Sequence, residues 1–597
     1  MKDNLNTDKI GRERVRPVNL IDFLEQELNM IIKSLGYETE VKLIISNRPD
    51  LGNYQYNGAF ILAKEYHKNP NTIALEITEK LKKTDYFNKV EAVGGFVNLT
   101  LSDEVLIKYV NDLTKDLEIN MFKTDSKKVL IDYGGANIAK ELHVGHLRSA
   151  NIGEALNRLF MSVGHKTISD VHLGDWGRPM GLIIREIKEM YPDLPYFDEN
   201  FKGEYPKECP VTIEQLNDIY PRASIKAKED LKYLEEAREI TTALQNHHQG
   251  YYALWRTFYE LSSNDIKKIY DKLNTRFDLW EGESDADKYI PEMLEYLTQN
   301  NLTQISDGAV IIDVKEKTDK REIPPVILIK SDGGVLYDTT ELATIYYRQK
   351  RFAPDMLVYL TDIRQELHFI QAFRAAYKTK IVPENCILEH HGFGTMNGPD
   401  GKPFKTRDGG VLSLKGLIEL VTKETRKLIK DNIKEEDKEA LAENLAIAAI
   451  KYADLLPNRA SDYVFDPVKF SDLNGKTGPY LLYSTVRMKS LLAKCAEADI
   501  VPSVYKLLHT DEERDIILNL LKMKNVLEKA YVARSLNEVA EYIYKLTNSF
   551  NSFYSTHEIL NEKNKDLRDS WITLTKIVYD INLKLLDILG ITVPDKI

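Results

Sequence analysis

Apolar residues in the first 120 positions follow two spacings, and each spacing predicts one kind of secondary structure. Helical spacing runs over Leu20–Leu35 and again over NTIALEITEKLKKT, residues 71–84. In FVNLTLS, residues 96–102, apolar and polar positions alternate, which predicts a strand. These segments together predict a small α/β domain over residues 1–120.

The pattern changes several times beyond that domain. Residues 121–410 alternate β-prone and helical segments, as a parallel nucleotide-binding sheet does, and a charged helical insertion interrupts them at about 191–300. We expect a connecting helical segment at 411–465 and an all-α bundle at 466–597. The predicted fold class is therefore α/β, with a Rossmann-like parallel sheet between a small α/β domain and a helical bundle.

Composition narrows the class of protein only moderately. The chain has 597 residues, a formal net charge of −11 and three cysteines. The acidic balance argues mildly against indiscriminate nucleic-acid binding, although a specific RNA partner needs only one basic face. The scattered cysteines predict no disulfide framework and no metal centre, and no signal peptide or membrane span is predicted. We therefore expect a cytoplasmic protein.

The most informative local pattern is the tetrad His143-Val144-Gly145-His146. The β-prone segment KKVLIDY precedes it, and apolar residues at helical spacing follow it as far as Gly164, so the tetrad is predicted to lie at a helix N-terminus. Backbone N–H groups and the helix dipole attract anions there, and imidazoles donate hydrogen bonds to phosphate. Gly145 leaves room for a flat ring. A His-x-x-His pattern alone is more often a surface feature or a helix cap.

A second cationic pattern follows about 260 residues later, in GKPFKTRDGG, residues 401–410. It places Lys402, Lys405 and Arg407 in a loop bounded by glycines. Such a loop suits a polyphosphate on which charge builds during displacement. Standing alone, the same residues are more simply interpreted as an exposed basic turn, so the pattern gains meaning only in combination with the tetrad.

The order of these two patterns resembles the layout of class I aminoacyl-tRNA synthetases. A narrower resemblance covers the whole chain: the segments ANIAKELHVGHLRS, VHLGDWGRPMGLI, GKPFKTRDGG, KYADLL, TGPYLLYSTVR and LLDILGITVP closely resemble the arginyl-tRNA synthetase family. The resemblance implies a catalytic Rossmann-like domain and a C-terminal anticodon-binding bundle. It also implies that the GNYQYNGAFILAK segment, residues 52–64, contacts the D-loop of tRNA.

For the nucleotide, the resemblance implies that His143 and His146 hold the ATP phosphates and stabilise the transition state, while Gly145 makes room for adenine. Lys140 corresponds to an additional lysine of the family near the phosphates. Lys405 lies where the second lysine of the family's KMSKS-type loop belongs, and Lys402 and Arg407 assist. Because this loop departs from a literal KMSKS, the division of labour among the three lysines stays open.

For the amino acid, the resemblance implies a pocket for a guanidinium, which requires anionic groups and an aromatic or amide wall. Asp132 would face the cationic side chain and Asn137 the head group. Tyr337, Glu341, Gln365 and His368 would complete the pocket. Glu341 stands where family members usually carry Asp, so its longer side chain is expected to change the angle of the guanidinium contact. An ordinary solvated helix start is the alternative interpretation of Tyr337 and Glu341.

The implied reaction has two steps. The carboxylate of L-arginine attacks the α-phosphate of ATP, bound with Mg²⁺, to give arginyl-adenylate and pyrophosphate, and the terminal ribose hydroxyl of tRNA(Arg) then takes the arginyl group. Bound tRNA is typically required for the first step in this family. Weak tRNA contacts are expected at Asn53, Tyr54, Gln55, Tyr483 and Arg487, and the family default is a monomer.

Three other functions fit the sequence less well. Another class I specificity is disfavoured, because a cysteinyl enzyme would need a zinc site and because Asp132 and Glu341 present acid rather than the donors that a glutamate or glutamine pocket requires. A nucleotidyltransferase with the same tetrad would generally be shorter, and that function gives no role to the helical C-terminal third of this chain. A catalytically inactive RNA-binding paralogue is disfavoured by the intact His143, His146 and Lys405.

Overall fold

The computed structural model describes residues 19–331, 333–335, 337–402, 404, 412–429 and 433–597. Its strands are β1 (Leu43–Ile45), β2 (Tyr54–Tyr56), β3 (Phe87–Val93), β4 (Phe96–Leu101), β5 (Lys128–Asp132), β6 (Lys166–Asp170), β7 (Gln304–Ser306), β8 (Ala309–Ile312), β9 (Val326–Ile329), β10 (Met356–Tyr359), β11 (Ile387–His390), β12 (Met396–Asn397) and β13 (Tyr463–Val464).

The helices of the described chain, in order, are α1 (Leu20–Ser34), α2 (Ala59–Glu65), α3 (Pro70–Leu81), α4 (Asp103–Lys115), α5 (Val144–Ser162), α6 (Arg178–Met190), α7 (Ile213–Glu229), α8 (Leu231–Gln245), α9 (Gln249–Lys272), α10 (Glu283–Asp287), α11 (Ile290–Gln299), α12 (Tyr337–Phe352), α13 (Glu366–Lys378), α14 (Leu414–Arg426), α15 (Glu435–Leu455), α16 (Pro467–Ser471), α17 (Gly478–Glu497), α18 (Asp511–Leu520), α19 (Met523–Ala533), α20 (Asn537–Thr556) and α21 (Lys565–Ile588). Short 3₁₀ helices cover Leu117–Asn120, Pro195–Phe197, Ile363–Gln365 and Ile559–Asn561.

The chain forms two compact units. The first contains the described residues up to Phe122 together with Arg487–Val526 and Lys545–Asn582. The second contains Lys123–Val486, Leu527–Tyr544 and Leu583–Ile597. Both units are therefore built from separate stretches of sequence.

In the first unit, four antiparallel strands form a sheet in the order β1-β2-β4-β3. The predicted helices at Leu20–Leu35 and 71–84 correspond to α1 and α3, and the predicted strand is β4. Helix α4 joins this α/β domain to segments from the C-terminal region: Asn111 exchanges hydrogen bonds with the backbone of Tyr505, and Arg514 pairs with Asp103 at 2.8 Å.

The sheet corrects the expectation for the GNYQYNGAFILAK segment. Residues Tyr54–Tyr56 form the strand β2, and the ring of Tyr54 is only 5% exposed, within the core of the sheet. Asn53 accepts a hydrogen bond from the backbone of Leu101, and the amide of Gln55 donates one to Asn98 at 2.9 Å. Tyr54 is therefore a core residue and is wrong as a base-contacting residue, because its ring cannot reach a nucleotide without unpacking the sheet.

The second unit is organised around a parallel sheet in the order β11-β10-β5-β6. Helix α5 connects β5 to β6, and the helices α7–α11 occupy the predicted insertion. A small antiparallel sheet, β7-β8-β9, follows them. This arrangement confirms the predicted α/β class with a Rossmann-like parallel sheet and a helical insertion. No helix of the described residues has both the length and the apolarity that a membrane span needs.

Candidate active site

A cavity of about 480 Å³ lies at the carboxyl ends of the parallel strands, where ligands of such sheets bind. The register places Asp132, Asp170, Tyr359 and His390 side by side as the last residues of their four strands. We call this space the sheet-edge cavity. Its walls include residues from β5, the N-terminus of α5, α12 and the turn before α13.

The tetrad forms the start of α5 through reciprocal hydrogen bonds. His143 is the N-cap residue, and its Nδ1 accepts a hydrogen bond from the backbone N–H of Gly145 at 3.0 Å. His146 Nδ1 accepts one from the backbone N–H of His143 at 3.1 Å. These are the two bonds of a capping box, made here by two imidazoles. The predicted placement of the tetrad at a helix N-terminus is confirmed.

This capping box also fixes which nitrogen of each ring carries the proton. An Nδ1 that accepts a hydrogen bond is unprotonated, so in the neutral imidazole the proton lies on Nε2. Burial, together with the charge of Lys140, lowers the pKa of His143. Burial and the neighbouring His143 lower the pKa of His146 to about 3. Both rings are therefore neutral at pH 7 and have an Nε2–H that is not used in the cap.

Gly145 is required by the packing of the tetrad itself. A Cβ atom at this position would lie 2.8 Å from Cε1 and 2.9 Å from Nδ1 of the His143 ring. The ring folds back over the backbone that it caps, so any side chain at residue 145 would displace it. The sequence interpretation assigned Gly145 to the space for a bound ring; the structure adds this second reason.

The cationic loop is fastened to the tetrad at the ends that the structure describes. The backbone N–H of Leu412 donates to the carbonyl of Phe404 at 3.3 Å, which closes the segment between them. The carbonyl of Leu412 in turn accepts a hydrogen bond from the N–H of Val144 at 3.3 Å. The predicted residues Lys405 and Arg407 lie outside the described residues. Lys402 is exposed and does not line the sheet-edge cavity.

Lys140 occupies a position that its sequence neighbourhood does not reveal. Its ammonium nitrogen lies 4.1 Å from the centroid of the Tyr220 ring, which belongs to α7 in the helical insertion. Lys140 is not part of the wall of the sheet-edge cavity, although its charge reaches the imidazole of His143. A cation over an aromatic ring gains about 0.5–2 kcal/mol, so this contact is a genuine competitor for any phosphate interaction of the lysine.

Glu341 supplies a buried anionic group in the cavity. Its side chain is 5% exposed, and its Oε1 atom is buried without a hydrogen-bonding partner among the described residues. The other oxygen, Oε2, lies 3.7 Å from Nε2 of His368. Burial alone would raise the pKa of Glu341, but contact with His368 outweighs burial and lowers it. Glu341 is therefore a carboxylate with one oxygen available to a cationic ligand.

His368 positions the carboxylate of Glu341. Its Nδ1 lies 2.9 Å from an oxygen of Asp338, one turn before Glu341 on α12. Burial lowers the pKa of His368, but the hydrogen bond to Asp338 and the nearby carboxylate of Glu341 outweigh burial and raise the pKa from 6.5 to about 9. The sequence interpretation placed His368 in the pocket wall; the structure places it against Glu341.

The ion pairs of His368 predict a loss of stability in alkali. Because its pKa is raised on folding, the stabilisation is complete below pH 6.5 and is lost as pH rises through about 9. The contribution is at most about 3 kcal/mol, so between pH 7 and pH 10 the melting temperature of the native chain should fall about 2–5 °C more than that of His368→Gln. Thermal unfolding of both proteins at the two pH values measures this difference, and equal falls would contradict it.

Asp132 is engaged by a residue that sequence analysis did not find. The guanidinium of Arg348, buried in the middle of α12, lies 2.7 Å from Asp132 and 2.6 Å from Asp170. The ligand atoms of these two carboxylates and of His172 lie within 4.8 Å of one another, a spacing found at metal sites, but the guanidinium of Arg348 lies against both carboxylates. Arg348 already balances this charge. The expectation that Asp132 serves mainly as the counter-charge of the substrate is therefore weakened in favour of Glu341.

The remaining predicted residues divide into two groups. Asn137 and Gln365 line the sheet-edge cavity with His143, His146, Asp132 and Glu341. Tyr337 is the first residue of α12, but its side chain lies outside the described part of the structure. The structure thus brings the histidine pair and most of the predicted amino-acid pocket to one cavity.

His172 and Glu283 also line the cavity, and sequence analysis missed both. His172 has a left-handed backbone with φ of 39°, which is costly for a residue other than glycine and is concentrated at functional sites. Burial lowers its pKa, but Asp170 outweighs burial and raises it to about 9. Burial raises the pKa of Glu283 to about 7. The available signal was the position of His172 two residues beyond a parallel strand, within VHLGDWGRPMG.

Three family models match successive parts of the sequence. A family model described as "tRNA synthetases class I (R), catalytic domain" matches residues 109–467, which is more than half of the chain. Models described as "Arginyl tRNA synthetase N terminal domain" and "DALR anticodon binding domain" match residues 19–101 and 481–597. The three matches follow one another along the chain in the order that the sequence resemblance implied.

Full-length relatives give the same result. The chain is 44% identical to the arginine–tRNA ligase of Alkaliphilus oremlandii, covering 95% of this chain and 97% of the relative, and 44% identical to that of Agathobacter rectalis, covering 97% and 99%. The crystal structure of arginyl-tRNA synthetase from Plasmodium falciparum superposes with a TM-score of 0.79 at 25% identity, covering 97% and 99%. With a histidine-capped helix and a buried carboxylate opening into one cavity, and relatives matched from end to end, the chain belongs to the arginyl-tRNA synthetase family.

Proposed function

We propose that the chain ligates L-arginine to the 3′ end of tRNA(Arg) through an arginyl-adenylate, releasing pyrophosphate and AMP. The observation that carries this proposal is the buried carboxylate of Glu341 in the same cavity as the His143–His146 pair. A guanidinium presents several N–H donors to such an acceptor, and a phosphate accepts from the two imidazoles. The cavity therefore has one end for each of the two reactants of the first step.

The two imidazoles act as neutral hydrogen-bond donors. Because their Nδ1 atoms are used in the cap of α5, their Nε2–H groups are directed to a fixed place as the triphosphate changes charge. Preorganised donors of this kind stabilise developing negative charge without reorganisation in the transition state. The carboxylate of arginine attacks the α-phosphorus, the bond to the bridging oxygen breaks, and pyrophosphate leaves.

The cationic loop is proposed to bring Lys405, assisted by Lys402 and Arg407, to the same triphosphate. Its support is the fastening of Leu412 to Phe404 and to Val144, which keeps both ends of the loop next to the tetrad. A lysine on a short loop held there stays within reach of a phosphate bound by the tetrad.

Lys140 is proposed to assist at the phosphates after it leaves the ring of Tyr220. We expect Tyr220→Leu to lower the KM for ATP about two- to tenfold, because the lysine no longer gives up a cation–π contact of about 0.5–1.4 kcal/mol. Tyr220→Phe keeps the ring and should leave the KM unchanged. Steady-state pyrophosphate exchange at varied ATP measures both. A higher KM in Tyr220→Leu would mean that the ring holds Lys140 in its working position.

In the amino-acid pocket, Glu341 is proposed to receive the guanidinium and Asn137 the head group, with Gln365 and Tyr337 as wall. Asp132 is proposed to attract the guanidinium of arginine more weakly than Glu341 does, since Arg348 neutralises much of the charge of Asp132. The longer side chain of Glu341 leaves Oε1 as the acceptor while Oε2 faces His368. This division keeps one carboxylate oxygen for the substrate.

Mg²⁺ is proposed to arrive with ATP rather than as a resident ion. Among the described residues, the one cluster with suitable ligand spacing is Asp132, Asp170 and His172, and the guanidinium of Arg348 lies against its two carboxylates. These residues therefore do not fit a resident Mg²⁺ site. Mg²⁺ is commonly held by phosphate oxygens and water, and we treat MgATP as the substrate.

For the tRNA, Asn53 and Gln55 on the N-terminal sheet and Tyr483 and Arg487 on α17 are proposed as contacts. Gln55, Tyr483 and Arg487 are partly exposed, and the guanidinium of Arg487 lies 5.5 Å from the ring centroid of Tyr554. The domain division at 1–120, 121–410, 411–465 and 466–597 and a monomeric state are proposed from the resemblance to the family. A cytoplasmic location is proposed from the sequence patterns described above.

The test of the proposed function is ATP–pyrophosphate exchange with each standard amino acid, with and without tRNA(Arg). We expect exchange with arginine alone among the amino acids, and only when tRNA is present. If glutamate, glutamine or cysteine supported exchange and arginine did not, that amino acid would be the substrate in place of arginine. Full exchange with arginine in the absence of tRNA would leave the specificity intact and overturn the tRNA requirement.

A further inference from the structure

The turn between α19 and α20 contains a buried arginine. Helix α19 ends at Ala533 and α20 begins at Asn537, and Arg534 is the first residue of the turn between them. Arg534 is 9% exposed, and arginine is rarely buried to this extent unless its charge is paired. Residues Leu527–Tyr544 belong to the second unit, so this turn and the sheet-edge cavity lie in the same unit. None of the roles proposed above involves Arg534.

The backbone of Arg534 has an unfavourable conformation. Its φ is 50°, in the left-handed region, at the position directly after the last residue of α19. Glycine is preferred there, because the Cβ atom of any other residue crowds the neighbouring carbonyl group. A residue with a side chain persists in this conformation when its surroundings compensate for the strain. The contacts of the guanidinium supply that compensation.

The guanidinium makes a bidentate contact with the carboxylate of Glu389. Nε of Arg534 lies 2.9 Å from Oε2 of Glu389, and Nη2 lies 3.1 Å from Oε1. Nη1 donates to the carbonyl of Tyr531, and the rings of Tyr531 and Phe160 lie 4.4 and 5.2 Å from the guanidinium carbon. Burial would raise the pKa of Glu389, but His391 and Arg534 outweigh burial and lower that pKa to about 2. Glu389 is therefore a carboxylate at neutral pH.

Glu389 belongs to the segment that leads from the parallel sheet to the wall of the sheet-edge cavity. It is the third residue of β11, and Phe393, four residues later, lines the cavity. Nε2 of His391 lies 2.8 Å from Oε2 of Glu389, and the backbone N–H of His391 donates to the carbonyl of Tyr359 at 2.8 Å. The backbone N–H of Phe393 donates to the carbonyl of Thr361, another residue of the cavity wall, at 3.1 Å. The carboxylate that Arg534 holds is thus four residues from that wall.

A second arginine links the backbone of the same turn to this segment. Nε of Arg459 donates to the carbonyl of Arg534 at 3.1 Å, and Nη1 of Arg459 donates to the carbonyl of Gly392 at 2.6 Å. A Cβ atom at Gly392 would lie 2.7 Å from Cα of Ile363, so the two backbones are already in close contact. The segment 389–393 is therefore fastened to the turn of Arg534 and packed against the residues that precede α13.

This segment lies next to the end of the cavity that is proposed to bind the nucleotide. Met396, three residues after Phe393, packs in one hydrophobic core with Val144 and Leu147 of α5. The tetrad starts the same helix. Glu341, by contrast, belongs to α12. A shift of the segment 389–393 would therefore disturb the wall beside the tetrad more than the carboxylate proposed for the guanidinium.

We propose that Arg534 is a positioning residue for ATP: by holding Glu389, it fixes the wall of the sheet-edge cavity beside the tetrad. The inference rests on the proposed function, because ATP is the nucleotide of the proposed reaction. A wall that contacts the nucleotide equally in the ground state and the transition state lowers KM without raising kcat. The predicted C-terminal bundle thus contributes to ATP binding through a residue that does not line the cavity.

The first test is Arg534→Gln, which removes the bidentate contact. It should raise the KM for ATP about 5- to 50-fold in pyrophosphate exchange at saturating arginine and tRNA(Arg), because small displacements of a binding wall are costly. The kcat and the KM for arginine should change less than about twofold. The matched control is Arg514→Gln, which breaks the pair with Asp103 and should leave the KM for ATP unchanged. A native KM for ATP in Arg534→Gln, or an equal rise in both KM values, overturns the proposal.

Arg534→Gly separates positioning from folding. Glycine suits a φ of 50°, so the turn can keep its shape without the guanidinium. The melting temperature of this variant should equal or exceed that of Arg534→Gln, while the KM for ATP stays raised. A native KM for ATP in Arg534→Gly would mean that the guanidinium is dispensable, and the proposal would be wrong.

Glu389→Gln tests the route through the carboxylate. Because Arg534 and Glu389 form one contact, the double variant should raise the KM for ATP no more than Arg534→Gln does alone. If the effects of the two single variants multiply in the double variant, they act independently, which contradicts the proposed route.

Equilibrium dialysis with ATP separates a failure of this proposal from a failure of the proposed function. The native protein should bind ATP more tightly than Arg534→Gln by the same factor as the KM values differ. If the native protein binds ATP but does not activate arginine, the proposed function is wrong, and the difference in ATP affinity still tests Arg534. If the native protein activates arginine and both proteins bind ATP equally, the positioning role of Arg534 is wrong.

Discussion

Glu341→Gln should lower kcat/KM for arginine about 10²- to 10³-fold, because a buried carboxylate that accepts from a guanidinium is worth about 3–4 kcal/mol more than a neutral amide. The effect is large since Oε1 is buried and lacks another partner, so the amide would bring an N–H donor against the donors of the substrate. Exchange kinetics at varied arginine measure it. The KM for ATP should change less than twofold.

Glu341→Asp is the matched control for this prediction. It keeps the charge and restores the residue that the sequence resemblance associates with the family, so it should retain activity within about tenfold of the native chain. The pair of His368 and Asp338 holds the native carboxylate from behind and is unchanged in both variants. If Glu341→Gln activates arginine as well as Glu341→Asp does, the guanidinium is bound elsewhere, and Asp132 becomes the first alternative.

Replacing either histidine of the tetrad should slow the exchange reaction about 10²- to 10³-fold, the loss expected for one preorganised donor to a developing negative charge. His143→Asn and His146→Gln are the informative variants. Asn is a favoured N-cap residue and Gln is a capping-box residue at the third helical position, so both keep an acceptor for the cap of α5. Neither presents the Nε2–H of an imidazole to the phosphate.

These variants separate capping from catalysis. His143→Asn and His146→Gln should keep the native melting temperature while losing kcat, whereas His146→Ala should lose kcat and also about 1 kcal/mol of helix stability. Because the pKa of His146 is lowered to about 3, the rate of the native enzyme should show no step from this group between pH 6 and pH 8. If the rate instead falls as pH rises, with an apparent pKa near 6.5, the active form of the imidazole is the protonated one.

Local features of the site were predictable from sequence, and long-range pairings were not. The start of α5 directly after its N-cap residue His143 follows from a β-prone segment, a capping pattern and apolar spacing within about 30 residues. The pairing of Arg348 with Asp132 joins positions 216 residues apart, and an arginine in the middle of a helix gives no local sign that it is buried. The contact of Lys140 with Tyr220 is equally invisible, because it depends on how α7 folds back.

Tyr54 shows a different limit. For its segment, GNYQYNG, the family resemblance implied a contact with the D-loop of tRNA. The structure instead uses Tyr54 and Tyr56 as the inward face of a three-residue strand, with Gln55 between them on the other face. A strand this short has too few alternating positions to be recognised, and only its pairing with β4 defines which side chains are buried.

The fastening of Phe404 to Leu412 has a consequence for how this enzyme can diverge. The hydrogen bond between these two residues holds the ends of the segment together, so an insertion or deletion between them must be absorbed without moving either anchor. An exchange of lysine and arginine between positions of the segment leaves its length unchanged. Among relatives, we expect insertions and deletions in this segment to be rarer than exchanges of lysine and arginine between its positions.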